Sequence, residues 1–196
     1  AAYYSNVTKT EGDLSITVAT LTVTTEGAEK TYDGTALKAD GTVTGYKNGE
    51  TATFTVTGSQ TAVGESNNSY TLVFDQTAVS TDYTISEYLG TLKVTADPTE
   101  LTIVSPTESK EYDGTAFTAP VYTITYGEDS GEATENEDGT YSYKLSTGDT
   151  IVITPDESAA VTHVAEGTVK NAFSYTLENA AYYSNVTKTE GDLSIT

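Results

Sequence analysis

Glu128, Asp129, Glu132, Glu135, Glu137 and Asp138 crowd the stretch between Gly127 and Gly139, with no lysine among them. Hard carboxylate oxygens at close spacing are what calcium takes as ligands. Glu128, Asp129, Glu135, Glu137 and Asp138 are therefore the candidates for a metal site, and calcium is the one cofactor to consider. The EF-hand pattern is missing, and a run of acids is more often a solvated hairpin loop, so the expectation is no bound metal and no cofactor. His163 is the only histidine, and there is no cysteine. One histidine without thiolates makes a poor zinc site, and no Ser-His-Asp arrangement surrounds it. A partly buried strand histidine is the expectation. The 29 acidic residues offer carboxylate pairs in number, but nothing in their spacing singles out a pair for glycoside hydrolysis. The sequence names no catalytic residue, and the chain does not read as an enzyme.

Two other chemistries have candidate residues. Lys30 or Lys110 with Asn68 or Asn171, helped by Asp33 or Asp113, has the composition of an isopeptide site. That bond needs a buried, apolar setting to shift the pKa values of its partners. Tyr122, Tyr126, Tyr141 and Tyr143 would stack on sugars if exposed together. With no Trp and 4 Phe against 15 Tyr, tyrosine must also supply core bulk, and core is the expectation for most of them. The sequence identifies no ligand-binding residue.

The elements that would hold these residues are strands. Threonine is the commonest residue, and Thr and Tyr favour the pleated, half-buried surface of a sheet. Residues 51–57 alternate strictly, with Ala52, Phe54 and Val56 on one face and threonines on the other. Residues 20–24, 91–95, 101–104, 122–126, 141–145, 151–153 and 192–196 behave alike, as do residues 13–17. No stretch shows sustained helical spacing. The fold class is thus all-β, with little or no helix, and the alternation fits an Ig-like sandwich and a β-grasp-like sheet equally. A net charge of −20 repels phosphate backbones and anionic lipid, which sets aside nucleic acid as a partner. No segment reads as a signal peptide or a membrane span, and no membrane insertion is expected.

Residues 1–17 are identical to residues 180–196. Self-similarity at a fixed period marks an array of repeats. A fainter repeat lies inside that period. Lys30-Thr-Tyr-Asp-Gly-Thr-Ala36 matches Lys110-Glu-Tyr-Asp-Gly-Thr-Ala116, and Ser69-Tyr-Thr-Leu72 matches Ser174-Tyr-Thr-Leu177. Gly90-Thr-Leu-Lys-Val-Thr95 matches Gly191-Asp-Leu-Ser-Ile-Thr196. The organisation expected is two tandem small β domains, residues 18–96 and 97–196, preceded by the terminal strands of another repeat in residues 1–17. Tyr32, Asp33 and Gly34, with Tyr112, Asp113 and Gly114, form a structural turn motif: Asp-Gly is a strong turn pair, and the preceding Tyr is placed to cap the core.

The Lys-x-Tyr-Asp-Gly-Thr-Ala signature, the later Tyr-Thr run and the closing Gly-x-Leu-x-[Ile/Val]-Thr strand resemble the MBG-type tandem repeat domains of bacterial surface and adhesin-like proteins. The resemblance covers both domains. It implies an extracellular, cell-surface protein, a mainly β fold, and no catalytic residue to carry over. The function expected is a repeat unit of a long surface protein, a structural stalk or fibre segment of an adhesin whose partners are neighbouring copies of the same repeat. The alternatives are a weak multivalent module for a host glycan, mucin or protein ligand, and a self-assembling filament subunit in which residues 1–17 are donated to a neighbour.

Overall fold

The computed structural model describes Tyr3 and residues 6–196. The first half carries β1 (Ala19–Thr25), β2 (Ala28–Thr31), β3 (Gly41–Thr44), β4 (Thr53–Val56), β5 (Gly64–Asn67), β6 (Tyr70–Val73), β7 (Tyr83–Tyr88) and β8 (Thr91–Thr95). The second carries β9 (Leu101–Val104), β10 (Glu108–Lys110), β11 (Thr123–Tyr126), β12 (Asp129–Glu132), β13 (Thr134–Glu135), β14 (Tyr141–Lys144), β15 (Thr150–Pro155), β16 (Thr168–Lys170), β17 (Phe173–Leu177), β18 (Val186–Thr189) and β19 (Asp192–Ile195). The fold is all-β. The described residues hold no α-helix, only short 3₁₀ turns at Ser80–Asp82, Val164–Glu166 and Ala180–Tyr182.

Every ladder stays within its own half, and the two halves use one plan. In the first, β3-β1-β7, β2-β8-β5 and β4-β6 form small sheets. In the second, β11-β9-β18, β10-β19-β16 and β15-β17 repeat those pairings, and β12, β13 and β14 are added at the edges. Two of the added strands, β12 and β13, lie in the acidic segment, and β14 follows it. The pairs β1/β7 and β2/β8 are parallel, as are β9/β18 and β10/β19. Parallel pairs need a long crossover, so strands distant in sequence close each half.

A shared polar clamp holds each crossover. The buried Asn68 amide donates to the carbonyls of Glu26 (3.0 Å) and Ala39 (3.0 Å). Asn171 does the same to Pro106 (3.2 Å) and Ala119 (2.8 Å). Gly90 N–H donates to the Thr25 hydroxyl and Gly191 N–H to the Ser105 hydroxyl, both at 3.1 Å. Glycine is required at both closing positions: a Cβ would lie 2.2 Å from the Glu26 carbonyl carbon at Gly90, and 2.1 Å from the Pro106 oxygen at Gly191.

The largest core belongs to the second half, with Leu101, Ile103, Tyr122, Ile124, Ile151, Ile153 and Phe173 at its centre. It does not stop at the half's boundary, because Tyr32 and Val94 are part of it. The first half has a smaller core around Leu21, Ala78 and Tyr83.

The strand expected over residues 13–17 does not form. Leu14 and Ile16 are 102% and 101% exposed, whereas their copies Leu193 and Ile195 are 0% and 5% exposed. The reason is occupancy: β8 fills the closing-strand position of the first half, and β19 fills that of the second. Ala1, Ala2, Tyr4 and Ser5 of the expected terminal strands lie outside the described residues.

Candidate functional site

The two Asp-Gly segments share one set of local bonds, whereas Tyr112 does not cap the core as expected of it, being exposed. Asp33 accepts from the Thr35 N–H (2.8 Å) and hydroxyl (2.8 Å), and Lys30 closes the ring through an ion pair to Asp33 (2.5 Å). The second copy repeats this with Asp113, Thr115 and Lys110. The lysine hydrogen bond, with the Thr N–H and hydroxyl, pulls each aspartate down to about 2. Gly34 and Gly114 sit at φ +77° and +81°, where glycine is unstrained.

The two turns part company in what they touch. Tyr32 is 6% exposed and Tyr112 is 52% exposed. Tyr32 crosses to the other half, where its hydroxyl donates to Asp149 (2.9 Å). Asp149 is itself buried, and also accepts from the Tyr183 hydroxyl (2.6 Å) and the Asn179 amide (2.9 Å). The Tyr32 ring lies edge-on to Tyr182 at 4.9 Å and to Tyr183 at 5.9 Å. Burial first, and the bond to Asp149 second, push the Tyr32 phenol up to about 12; the same causes push Tyr183 upward. Beside them the buried Asp97, in the linker, accepts from the Tyr126 hydroxyl and pairs its backbone with Tyr183. A Cβ at Gly34 would lie 1.8 Å from the Thr147 carbonyl oxygen, so the turn is pressed onto the Thr147-Gly148-Asp149 loop. The joint is thus a knob, the Tyr32-Asp33-Gly34 turn, seated in a socket built by Asp149, Tyr182 and Tyr183.

The other candidates resolve individually. Asp138 is committed to Thr140, and the acids from Glu128 to Glu137 are divided among β12, β13 and the turns beside them. No group of three or more metal-ligating side chains converges among the described residues. His163 is exposed and precedes a 3₁₀ turn, a correction to the strand position expected for it. Its N–H is held by the Glu166 carboxylate (2.9 Å), which starts the turn there. Lys30 bonds within its own turn while Asn68 bonds to Glu26 and Ala39, so the isopeptide partners serve separate networks. Tyr122 and Tyr126 are buried, and Tyr141 and Tyr143 pack half-buried against the same core. A groove of about 530 Å³ runs along Val104, Pro106, Phe117, Ala119 and Val121, and its lysine, Lys110, is already paired with Asp113.

Sequence reasoning missed Asp97, Asp149, Asn68 and Asn171 as structural keystones. The signal for the asparagines was present but offset: Asn68 directly precedes Ser69-Tyr-Thr-Leu72, whereas Ala172 and Phe173 intervene between Asn171 and Ser174. Comparisons of the chain with protein-family models, with curated proteins and with solved structures return no match.

Proposed function

We propose that this chain is a repeat unit of a long extracellular bacterial surface protein, a stalk or fibre segment that holds a distal region away from the cell. The observation that carries the reading is the joint between the halves. A bare linker of residues 96–100 would act as a hinge. Here the linker aspartate is buried, a tyrosine from one half is seated in the other, and the core continues across the boundary. A joint packed in this way resists bending, and units joined so transmit stiffness along an array. The identity of residues 1–17 with 180–196 and the resemblance to MBG-type surface repeats supply the array and the compartment. The work proposed is mechanical, without catalysis.

The test uses the absence of cysteine. Cysteines placed one in each half for spin labels should give a single narrow distance distribution. Asp149→Ala should broaden it. A broad distribution in the parent chain would remove the basis for the stalk.

A second reading, a filament subunit, is favoured by one observation: Leu14 and Ile16 are fully exposed while the identical Leu193 and Ile195 are buried. Residues 6–17 are a spare copy of a segment that elsewhere completes a half. The glycan-binding alternative draws less support, because the tyrosines that would stack on sugar serve the core.

A further inference from the structure

The two halves share one plan, so each has a knob and a socket, and only one of each is engaged. We propose that the exposed Tyr112-Asp113-Gly114 turn docks onto the Tyr46, Glu50 and Tyr83 face of a second copy of this chain, forming the joint between successive units. This rests on the array reading and deepens it.

The free knob matches the docked one in its internal bonds and differs in its surroundings. A Cβ at Gly114 would meet nothing within 4 Å, whereas one at Gly34 would meet the Thr147 backbone at 1.8 Å. Tyr112 N–H donates to the Thr196 carbonyl (3.1 Å), just as Tyr32 N–H donates to the Thr95 carbonyl (2.9 Å). Each knob therefore sits beside the point where the backbone leaves its half.

The free socket is on the first half. Glu50 occupies the place of Asp149, and accepts from the Tyr83 hydroxyl as Asp149 accepts from Tyr183. That bond is the leading cause that pushes the Tyr83 phenol upward. Tyr46 stands edge-on to Tyr83 at 6.1 Å, as Tyr126 stands to Tyr183 at 5.8 Å. The hydroxyls differ in their surroundings: Tyr126 is satisfied by Asp97 of its own half's linker, whereas the Tyr46 hydroxyl is buried with no partner, the shorter linker of residues 18–20 carrying no acid. A buried polar group without a hydrogen bond is costly and calls for one. Glu50 is also only half-buried, where Asp149 is buried beneath its knob.

The occupant follows from the duplication. Residues 180–196 end as residues 1–17 do, and in this chain Thr17 is followed by Val18 and the first half. The copy of this ending whose continuation is seen, residues 1–17, leads into a first half with its open socket. Residues 18–20 span the gap from Thr17 to Leu21, against residues 96–100 from Thr95 to Leu101. The linker is shorter, and the socket carboxylate is one methylene longer. The carboxylate and Tyr83 keep their kind, while Asp82 stands where Tyr182 packs against Tyr32.

The test is a two-period chain, Ala1 to Thr196 continued directly by a second Val18 to Thr196, compared with the single period. Hydroxyl-radical footprinting should show Tyr112 about two-fold slower overall in the two-period chain, because one of its two copies is covered. Gly114→Asn should return the rate to that of the single period with unchanged melting, since asparagine accepts positive φ and the site is open in the isolated unit. Spin labels across the Thr196 joint should give a narrow distribution that Gly114→Asn broadens. A Tyr112 rate equal to the single period, or a narrow joint indifferent to Gly114→Asn, overturns the docking. A wide distribution across Ala96 in the same chain sinks the stalk reading instead, and Tyr112 protection still decides the docking.

Discussion

Asp149 concentrates the joint in one residue. Its carboxylate accepts from Tyr32, Tyr183 and Asn179, so three donors meet at one acceptor. Asp149→Ala leaves the Tyr32 phenol and the Asn179 amide without a partner and Tyr183 with the Thr147 hydroxyl alone, and should cost about 2–4 kcal/mol in a denaturant midpoint. Tyr32→Phe removes one donor and leaves the carboxylate two others, so it should cost only about 1 kcal/mol. Equal losses from the two variants would mean that ring packing, not the carboxylate, holds the joint. Tyr32 and two tyrosines outside the joint give the fold an alkaline limit. Tyr32, Tyr70 and Tyr122 are each pushed up to about 12, chiefly by burial, so the native state favours the neutral phenol. Their contribution is fully present below the unfolded value of about 10 and is lost as pH rises through about 12. Melting temperature should therefore hold level at neutral pH and fall steeply in that window, together with a rise in tyrosinate absorbance. A fall beginning well below pH 10, ahead of tyrosinate, would point to a different group.

At the scale of the element, the recurring unit is a crossover locked by an asparagine, a hydroxyl and a glycine. Each asparagine amide serves two carbonyls from different segments, so Asn68→Ala or Asn171→Ala should each cost about 2–3 kcal/mol by leaving buried carbonyls unpaired. Chemical denaturation checks both, and a cost near zero for either would show that water replaces the amide there. The closing glycine was legible in the sequence as part of the Gly-x-Leu-x-[Ile/Val]-Thr run, and the alternating strands were legible because one face of each is buried. The Asp-Gly turns were legible because their bonds are local: Asp33 to Thr35 and Asp113 to Thr115. The clamp was not, because Asn68 and Asn171 bond across long loops and their flanking lengths differ. The socket was hidden for the same reason. Asp149 lies far in sequence from Tyr32, and nothing local distinguishes it from the other acids. His163 was misplaced because a partner three residues on, Glu166, decides its conformation.

At the scale of the whole molecule, the halves stand in series with complementary free ends. Ala19 begins β1 beside Tyr83 at the open socket, and β19 ends at the open knob of Tyr112. A chain shortened to end at Asn179 would lack β18 and β19, and with them Leu193, Ile195 and Tyr183. Its own residues 1–17 carry the same side chains and join the first half at β1, beside β7, whereas the vacated slot lies beside β9 and β10 of the second half. Residues 1–17 of another molecule would fill that slot and bury Leu14 and Ile16 where Leu193 and Ile195 lie. Burying two such side chains is worth roughly 2 kcal/mol each, on top of the restored ladder. The shortened chain should therefore assemble end to end as concentration rises, seen by sedimentation as a ladder of linear species. Excess free peptide of residues 1–17 should cap the slot and hold the chain monomeric. A shortened chain that stays monomeric with an unfolded second half, and ignores the peptide, would remove strand donation and leave the rigid stalk as the reading.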